Sequence, residues 1–230
     1  MPKLSIRLST IASLVPSGAR VCDIGTDHGY LAIQLIRSGK ATKVIATDIG
    51  EKPLHNAAKN LEISGVSSVE LRLCDGLSGI SPSETDTIII AGMGGEVISG
   101  ILERGEEISQ RKDISIILQP TTSPEALRRF LCDNGYEIIK EIPISENNKL
   151  YSVMLVIFTG KKAEYNPSFY YIGKVTPETE SGLLYIKKQE KRCYQCIDAL
   201  KTIPEKQAEF SEYKSAFDGI KNMLEKFGVN

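Results

Sequence analysis

Between residues 20 and 158, short apolar-rich runs of strand length alternate with segments of helical period, and this alternation limits the fold more than any other feature of the chain. Strands are expected at 20–25, 43–48, 69–73, 87–91 and 114–118. Helices are expected at 30–38, 53–64, 95–104 and 124–134, the second stopped by Gly65. A leading helix at 5–15 ends at Pro16-Ser17-Gly18. Such alternation predicts a doubly wound, Rossmann-like α/β sheet, mostly parallel. Two further strands, 136–144 and 151–158, have a turn-like Ser145-Glu146-Asn147-Asn148 between them and no helix. They should form a hairpin and put one antiparallel strand in the sheet.

Beyond residue 160 the pattern breaks. Asn166-Pro167, Gly173 and Pro177 read as a linker. One helix then carries Leu183, Ile186, Cys193, Ile197 and Leu200 at steps of three and four, interrupted by Glu190. The next carries Phe210, Tyr213, Phe217, Ile220, Leu224 and Phe227, with Thr202 and Glu205 as a capping box for its start. Their short connection implies an antiparallel, coiled-coil hairpin. It either packs on the sheet or grips a large substrate. The expected division is a catalytic domain over 1–160 and a linker plus helical hairpin over 161–230.

The 230-residue chain is 25% charged and 41% hydrophobic, with a net charge of −1. No run reaches about 18 apolar residues, so no membrane span is expected. The first twenty residues lack the apolar core of a signal peptide and read as an amphipathic helix. Five scattered cysteines, an odd number, suit a reducing, cytoplasmic compartment. Cys193 and Cys196 form a close pair without a second pair or a nearby histidine, so no metal site is expected. A monomer is the expected state. Positive charge is local: Lys3, Arg7 and Arg20 stand in an acid-free segment, and Lys187, Lys188, Lys191, Arg192 and Lys201 face only Glu190 and Asp198. Such clusters keep a nucleic-acid partner open, because phosphate binding follows clusters rather than totals.

The chemistry concentrates at strand ends. Asp23-Ile24-Gly25-Thr26-Asp27-His28-Gly29 joins the first strand to its helix, and Gly25 and Gly29 let backbone approach a ligand closely. The spacing is G-x-x-x-G rather than the G-x-G-x-x-G of dinucleotide enzymes. Asp23 and Asp27 would repel a pyrophosphate but suit the ammonium and sulfonium of S-adenosylmethionine. Asp48, 25 positions after Asp23, ends the second strand and can accept both ribose hydroxyls. Cys74-Asp75-Gly76 follows the third strand, where Asp75 can accept from an adenine amino group and backbone N–H groups can serve the ring. The bland reading of each acid is a helix cap or a turn. Gly92-Met93-Gly94-Gly95 ends the fourth strand, where an acceptor base would meet the methyl group, and it could also be a plain tight turn. The Asn-Pro-Pro-Tyr tetrad of exocyclic-amine methyltransferases and the Pro-Cys pair of pyrimidine C5 enzymes are absent, which favours an acceptor with its own lone pair.

The string DIGTDHGYLA, the GMGG turn and Leu118-Gln119-Pro120 together resemble the TrmK family, bacterial tRNA (adenine-22-N1)-methyltransferases acting in the D-arm. The resemblance spans the whole chain, including the C-terminal coiled-coil hairpin. It implies a class I methyltransferase fold and S-adenosyl-L-methionine contacts at Asp23, Gly25, Asp48, Asp75 and Gly76. It also implies an acceptor side of Asp27, His28, Tyr30, Met93, Gly94 and Gln119. Family members often read DIGSDHAYLP and LQPN. Thr26, Gly29, Ala32 and Thr121 depart from that pattern, and Thr121 lacks the amide that could touch a base.

On that resemblance, adenine N1 attacks the activated methyl group in line, and no strong base is needed first. Asp27 is the first choice for countering the positive charge that develops on the base. His28 either contacts the base, holds Asp27 or caps the helix, and Tyr30 either stacks on the base or packs. Adenine 22 lies inside folded tRNA and must be exposed. Lys187, Lys188, Lys191 and Arg192, with the basic N-terminal segment, are the expected phosphate contacts. Three other readings stay open. A methyltransferase for another RNA, a protein or a small molecule would fail to bind tRNA. A nicotinamide oxidoreductase would bind NADH. A non-catalytic RNA-binding module would show no turnover.

Overall fold

The protein is described by a computed structural model covering residues 4–229, so Lys3 lies outside the described residues. Seven strands form one sheet: β1 (Ala19–Ile24), β2 (Ala41–Asp48), β3 (Val69–Leu73), β4 (Thr87–Gly94), β5 (Ser115–Thr122), β6 (Tyr136–Glu146) and β7 (Lys149–Phe158). Their order is β3-β2-β1-β4-β5-β7-β6. The first five are parallel, and β7 is antiparallel to both β5 and β6. The expected Rossmann-like methyltransferase sheet with one antiparallel strand is therefore present. The strand order reverses between β1 and β4, which opens a crevice at their carboxyl ends.

The hairpin turn is tighter than its sequence suggests. Asn147 and Asn148 both adopt positive φ, 50° and 59°, and Glu146 pairs directly with Lys149. That is a two-residue turn of the primed type, which matches strand twist and favours asparagine. Ser145 and Glu146 thus belong to β6 rather than to a loop.

Helices α1 (Ile6–Leu14), α2 (Tyr30–Arg37), α3 (Glu51–Ser64), α4 (Gly95–Arg104), α5 (Glu106–Ser109) and α6 (Pro124–Asp133) accompany the sheet. Two apolar clusters flank it. One gathers Ile24, Ile88, Ile90, Ile98, Leu102, Leu127 and Met154, and the other gathers Ile11, Val21, Leu31, Leu35, Val44, Ile89 and Val153. The isoleucine run 88–90 serves both, because successive strand side chains point to opposite faces.

The segment expected as a linker contains a helix, α7 (Pro167–Ile172). Asn166 caps it, its side chain accepting from the Ser168 N–H, and Pro167 occupies the first turn. Tyr170, Tyr171 and Ile172 are buried. They join Tyr185, Ile186, Cys193, Ala216, Ile220 and Leu224 in a third cluster, which unites α7 with α8 (Glu180–Leu200) and α9 (Gln207–Lys226). α8 and α9 fold back on each other: the Tyr194 and Phe217 rings lie 5.9 Å apart, and Lys187 lies beside Leu224. The capping box does not form. Pro204–Lys206 is a 3-10 turn instead, and no side chain among the described residues caps α9. The buried face of α8 also includes Tyr185 and Gln189, because this helix packs on β6 and β7 as well as on α9.

The junction is polar. Arg128 of α6 is fully buried and bonds Glu141 of β6 at 2.6 Å, the Tyr185 hydroxyl of α8 at 2.8 Å and the Tyr170 carbonyl of α7 at 2.7 Å. Among the described residues no helix is long and apolar enough to cross a membrane, and all five cysteines are free thiols.

Candidate active site

The β1–β4 crevice divides into two adjoining clefts that share Gly25. The first is lined by Ile24, Thr47, Asp48, Ile49, Cys74, Asp75, Gly76, Met93, Val97, Ile101 and Arg104. The second is lined by Arg7, Leu8, Asp23, Thr26, Asp27, His28, Gly29, Tyr30, Ala91 and Gly92. Gly25 has φ +81°, and a Cβ there would overlap the terminal methyl of Met93. The glycine therefore supplies a conformation and a space that other residues lack. The Gly25 and Thr26 N–H groups both donate to the Thr47 carbonyl, at 2.8 and 2.9 Å, which fixes the loop against β2.

Asp23 is 6% exposed, and burial pushes its carboxyl up to about 6, with the Thr26 hydroxyl partly offsetting this. Thr47 Oγ1 is buried without a hydrogen-bond partner among the described residues. A buried carboxylate and an orphaned hydroxyl beside a glycine gap form a site that wants a polar, cationic ligand. Asp48 ends β2 and takes the Gly50 N–H on Oδ1 at 2.8 Å, leaving its other oxygen for hydroxyl groups. Asp75 is exposed and pairs with Arg104 at 3.3 Å, a contact that water screens. Cys74 points its thiol at the Gly76 carbonyl, 3.8 Å away. Gly76 has φ +57°, and a Cβ there would press on Ile101 at 3.1 Å. The exposed apolar side chains of Ile49 and Val97 border this cleft, as a flat heterocycle requires. The residues present thus fit S-adenosylmethionine: carboxylates for its charges and hydroxyls, and an apolar slot for its ring.

In the second cleft His28 Nε2 lies 3.1 Å from Asp27 Oδ2, and the His28 and Tyr30 rings stack at 5.3 Å and 22°. Asn60 of α3 holds the His28 carbonyl at 2.9 Å. Gly29 is buried at the start of α2 with φ +68°, and a Cβ there would meet Ala57 at 3.3 Å. Its small size serves helix packing as well as the loop. Met93 and Gly94 stand where β4 loses register with β5, after Gly92 at φ +81°. The Thr121 hydroxyl donates to the Met93 carbonyl at 3.0 Å, so this departure from the family pattern steadies the glycine turn.

Gln119 is fully buried and committed. Its amide nitrogen donates to the Pro120 carbonyl at 2.8 Å, and its oxygen accepts from Arg7 Nη1 at 2.9 Å and from the Gly92 N–H at 3.2 Å. It reaches the second cleft through Arg7 rather than by direct exposure. Arg7 is a site residue that sequence reasoning placed only in a basic segment. Of the other basic candidates, Lys187 pairs with Glu190 at 3.2 Å and Arg192 with Glu125 at 2.7 Å. Lys188 and Lys191 are exposed on α8 and make no ion pair among the described residues. None of these four is among the described residues that line either cleft.

Comparison with known proteins agrees with this geometry. Residues 4–154 match the model of a methyltransferase domain. The chain is 38% identical over 165 residues to the tRNA (adenine(22)-N(1))-methyltransferase of Bacillus subtilis, covering 71% of this chain and 69% of that protein. The crystal structure of the B. subtilis m1A22 tRNA methyltransferase TrmK superposes with a TM-score of 0.84 at 28% identity, over 96% of this chain and 99% of that one. M. capricolum TrmK, in complex with the cofactor product S-adenosyl-homocysteine, superposes with a TM-score of 0.78 at 26% identity, over 96% of this chain and 98% of that one.

Proposed function

The chain belongs to the family of bacterial tRNA (adenine-22-N1)-methyltransferases, and we propose that it transfers a methyl group from S-adenosylmethionine to N1 of adenine 22 in tRNA. The observation that carries this reading is the crevice between β1 and β4. Asp48, Asp75, Gly76 and Met93 line one cleft, buried Asp23 lines the adjoining one together with Asp27, His28 and Tyr30, and Gly25 borders both.

S-adenosylmethionine supplies a methyl group made electrophilic by the sulfonium. Asp23 meets the cationic end, Asp48 the ribose, and Cys74, Asp75 and Gly76 the adenine edge, with Gly29 shaping the loop. Adenine N1 brings its own lone pair, so Asp27 need not remove a proton. Its carboxylate, turned by His28, counters the charge that grows on the ring as the N–C bond forms. The stacked His28 and Tyr30 rings offer a flat wall for the base. Met93 and Gly94 close the opposite side, and Gln119 acts behind them. Most of the acceleration then comes from holding two ligands in line and excluding water.

In this reading residues 1–160 carry catalysis, and 161–230 add a helical appendage whose exposed Lys188 and Lys191, with Lys187 and Arg192 beside them, meet tRNA phosphates. The free thiols favour a cytoplasmic setting. The test is transfer of labelled methyl from S-adenosylmethionine to unmodified tRNA, followed by digestion to nucleosides. The expected product is 1-methyladenosine; label in any other nucleoside, or none with cofactor bound, would assign the site another acceptor.

A further inference from the structure

A polyanion has to enter an acidic pocket here. Asp23 and Asp27 line the acceptor cleft, and among the described residues that line it Arg7 is the only lysine or arginine. Arg7 is held rather than loose. Its backbone N–H donates to Glu146 Oε1 at 3.1 Å, its Nε lies 3.9 Å from Glu146 Oε2, and its Nη1 donates to buried Gln119 at 2.9 Å. Nη2 makes no hydrogen bond among the described residues, and the side chain keeps 28% exposure. At Gly92 a Cβ would lie 3.3 Å from Nη1, so the glycine leaves the guanidinium its place.

We propose that Arg7 is the phosphate subsite of the acceptor cleft, its free guanidinium edge receiving a phosphate oxygen of the ribonucleotide whose base is methylated. This rests on the tRNA-methylation reading. The sign of charge supports it, since methylation at N1 leaves a cationic base and a guanidinium directed at that ring would oppose the reaction. A phosphate flanking the base matches the charge and the planar fork. Gln119 and Glu146 hold the side chain beforehand, which lowers the entropy lost on binding. Gln119 is then a positioning residue acting through Arg7.

Steady-state methylation of tRNA should be followed between about 50 and 200 mM salt for the wild type, Arg7→Gln and Arg7→Lys. S-adenosylmethionine affinity is measured alongside. Arg7→Gln is expected to lower kcat/KM about 10- to 100-fold and to flatten the log–log salt slope by about one, with cofactor affinity held within about twofold. Arg7→Lys keeps the charge and loses the fork, so it should retain the slope with kcat/KM about 3- to 10-fold lower at every salt concentration. A wild-type slope in Arg7→Gln overturns the proposal. If that variant fails to fold, a wild-type kcat/KM in Arg7→Lys overturns it instead. Wild-type protein that methylates no tRNA would sink the functional reading itself, which separates the two failures.

Discussion

Arg128 donates to Glu141 at 2.6 Å with both side chains entirely out of solvent, and this pair ties α6 and β6 to the C-terminal helices. Gly173, just after α7, makes room for it. Its φ is +60°, and a Cβ there would overlap the Glu141 carboxylate and crowd the Arg128 guanidinium. Lys174 N–H also donates to Glu141 Oε2, at 3.1 Å. Removing the cation strands a buried carboxylate. Arg128→Ala should therefore cost about 3–5 kcal/mol in urea unfolding. Gly173→Ala should cost at least about 2 kcal/mol through overlap and backbone strain. Losses below about 1 kcal/mol in both would mean that the junction is held by its apolar cluster alone.

Asp23 gives a pH dependence with a definite sign. Its folded carboxyl titrates near 6, above the ordinary value of 3.8, because burial disfavours the charge. The folded, cofactor-free protein binds this proton more tightly than the unfolded chain does. The group's stabilising contribution is thus full below about pH 4 and is lost as pH rises through about 6, roughly 3 kcal/mol in all. Asp23→Asn should raise the melting temperature of the cofactor-free protein at neutral pH. Cofactor binding runs the other way, because the cationic ligand needs the ionised carboxylate. Its affinity should fall about tenfold per pH unit below about 6, and Asp23→Asn should bind weakly with no such break. Calorimetric titrations from about pH 5 to 8 decide this, and a flat wild-type profile contradicts it.

Asp27 is placed to act on the acceptor rather than on the cofactor. Asp27→Asn should lower kcat about 10- to 100-fold while S-adenosylmethionine affinity stays near the wild-type value. A matching loss of cofactor affinity would reassign the residue to the first cleft.

The basic face of α8 separates into two kinds of residue. Lys188 and Lys191 are exposed, so replacing both with alanine should weaken tRNA binding and flatten its salt slope by about one to two. Arg192 is different: it pairs with Glu125, whose second oxygen is buried without a partner among the described residues. Arg192→Ala should therefore cost stability as well. Unchanged tRNA affinity in the double-lysine variant would remove this face from the interface.

Much of this site is legible in the sequence because its residues sit at strand ends. Asp23, Asp48 and Asp75 follow apolar runs whose period places them at one edge of the sheet, and the Gly25 turn is a local conformational demand. What the sequence hides comes from distant pairings. Arg7 meets Gln119 and Glu146 across separations of 112 and 139 residues, so it reads as one cation in a basic stretch. Arg128 reads as a surface helix residue until Glu141 and Tyr185 arrive from other elements. The short helix α7 was hidden by Asn166-Pro167, which reads as a break but serves as a cap and first turn. The α8 stripe omits Tyr185 and Gln189, because a pattern expecting one partner helix does not anticipate the sheet as a second.

The most direct measurement is methyl transfer to two unmodified tRNAs that differ only in carrying adenine or guanine at position 22. The account predicts label in the adenine tRNA, recovered as 1-methyladenosine at that position, and none in its guanine counterpart. Equal labelling of both, or label at another position, would contradict it.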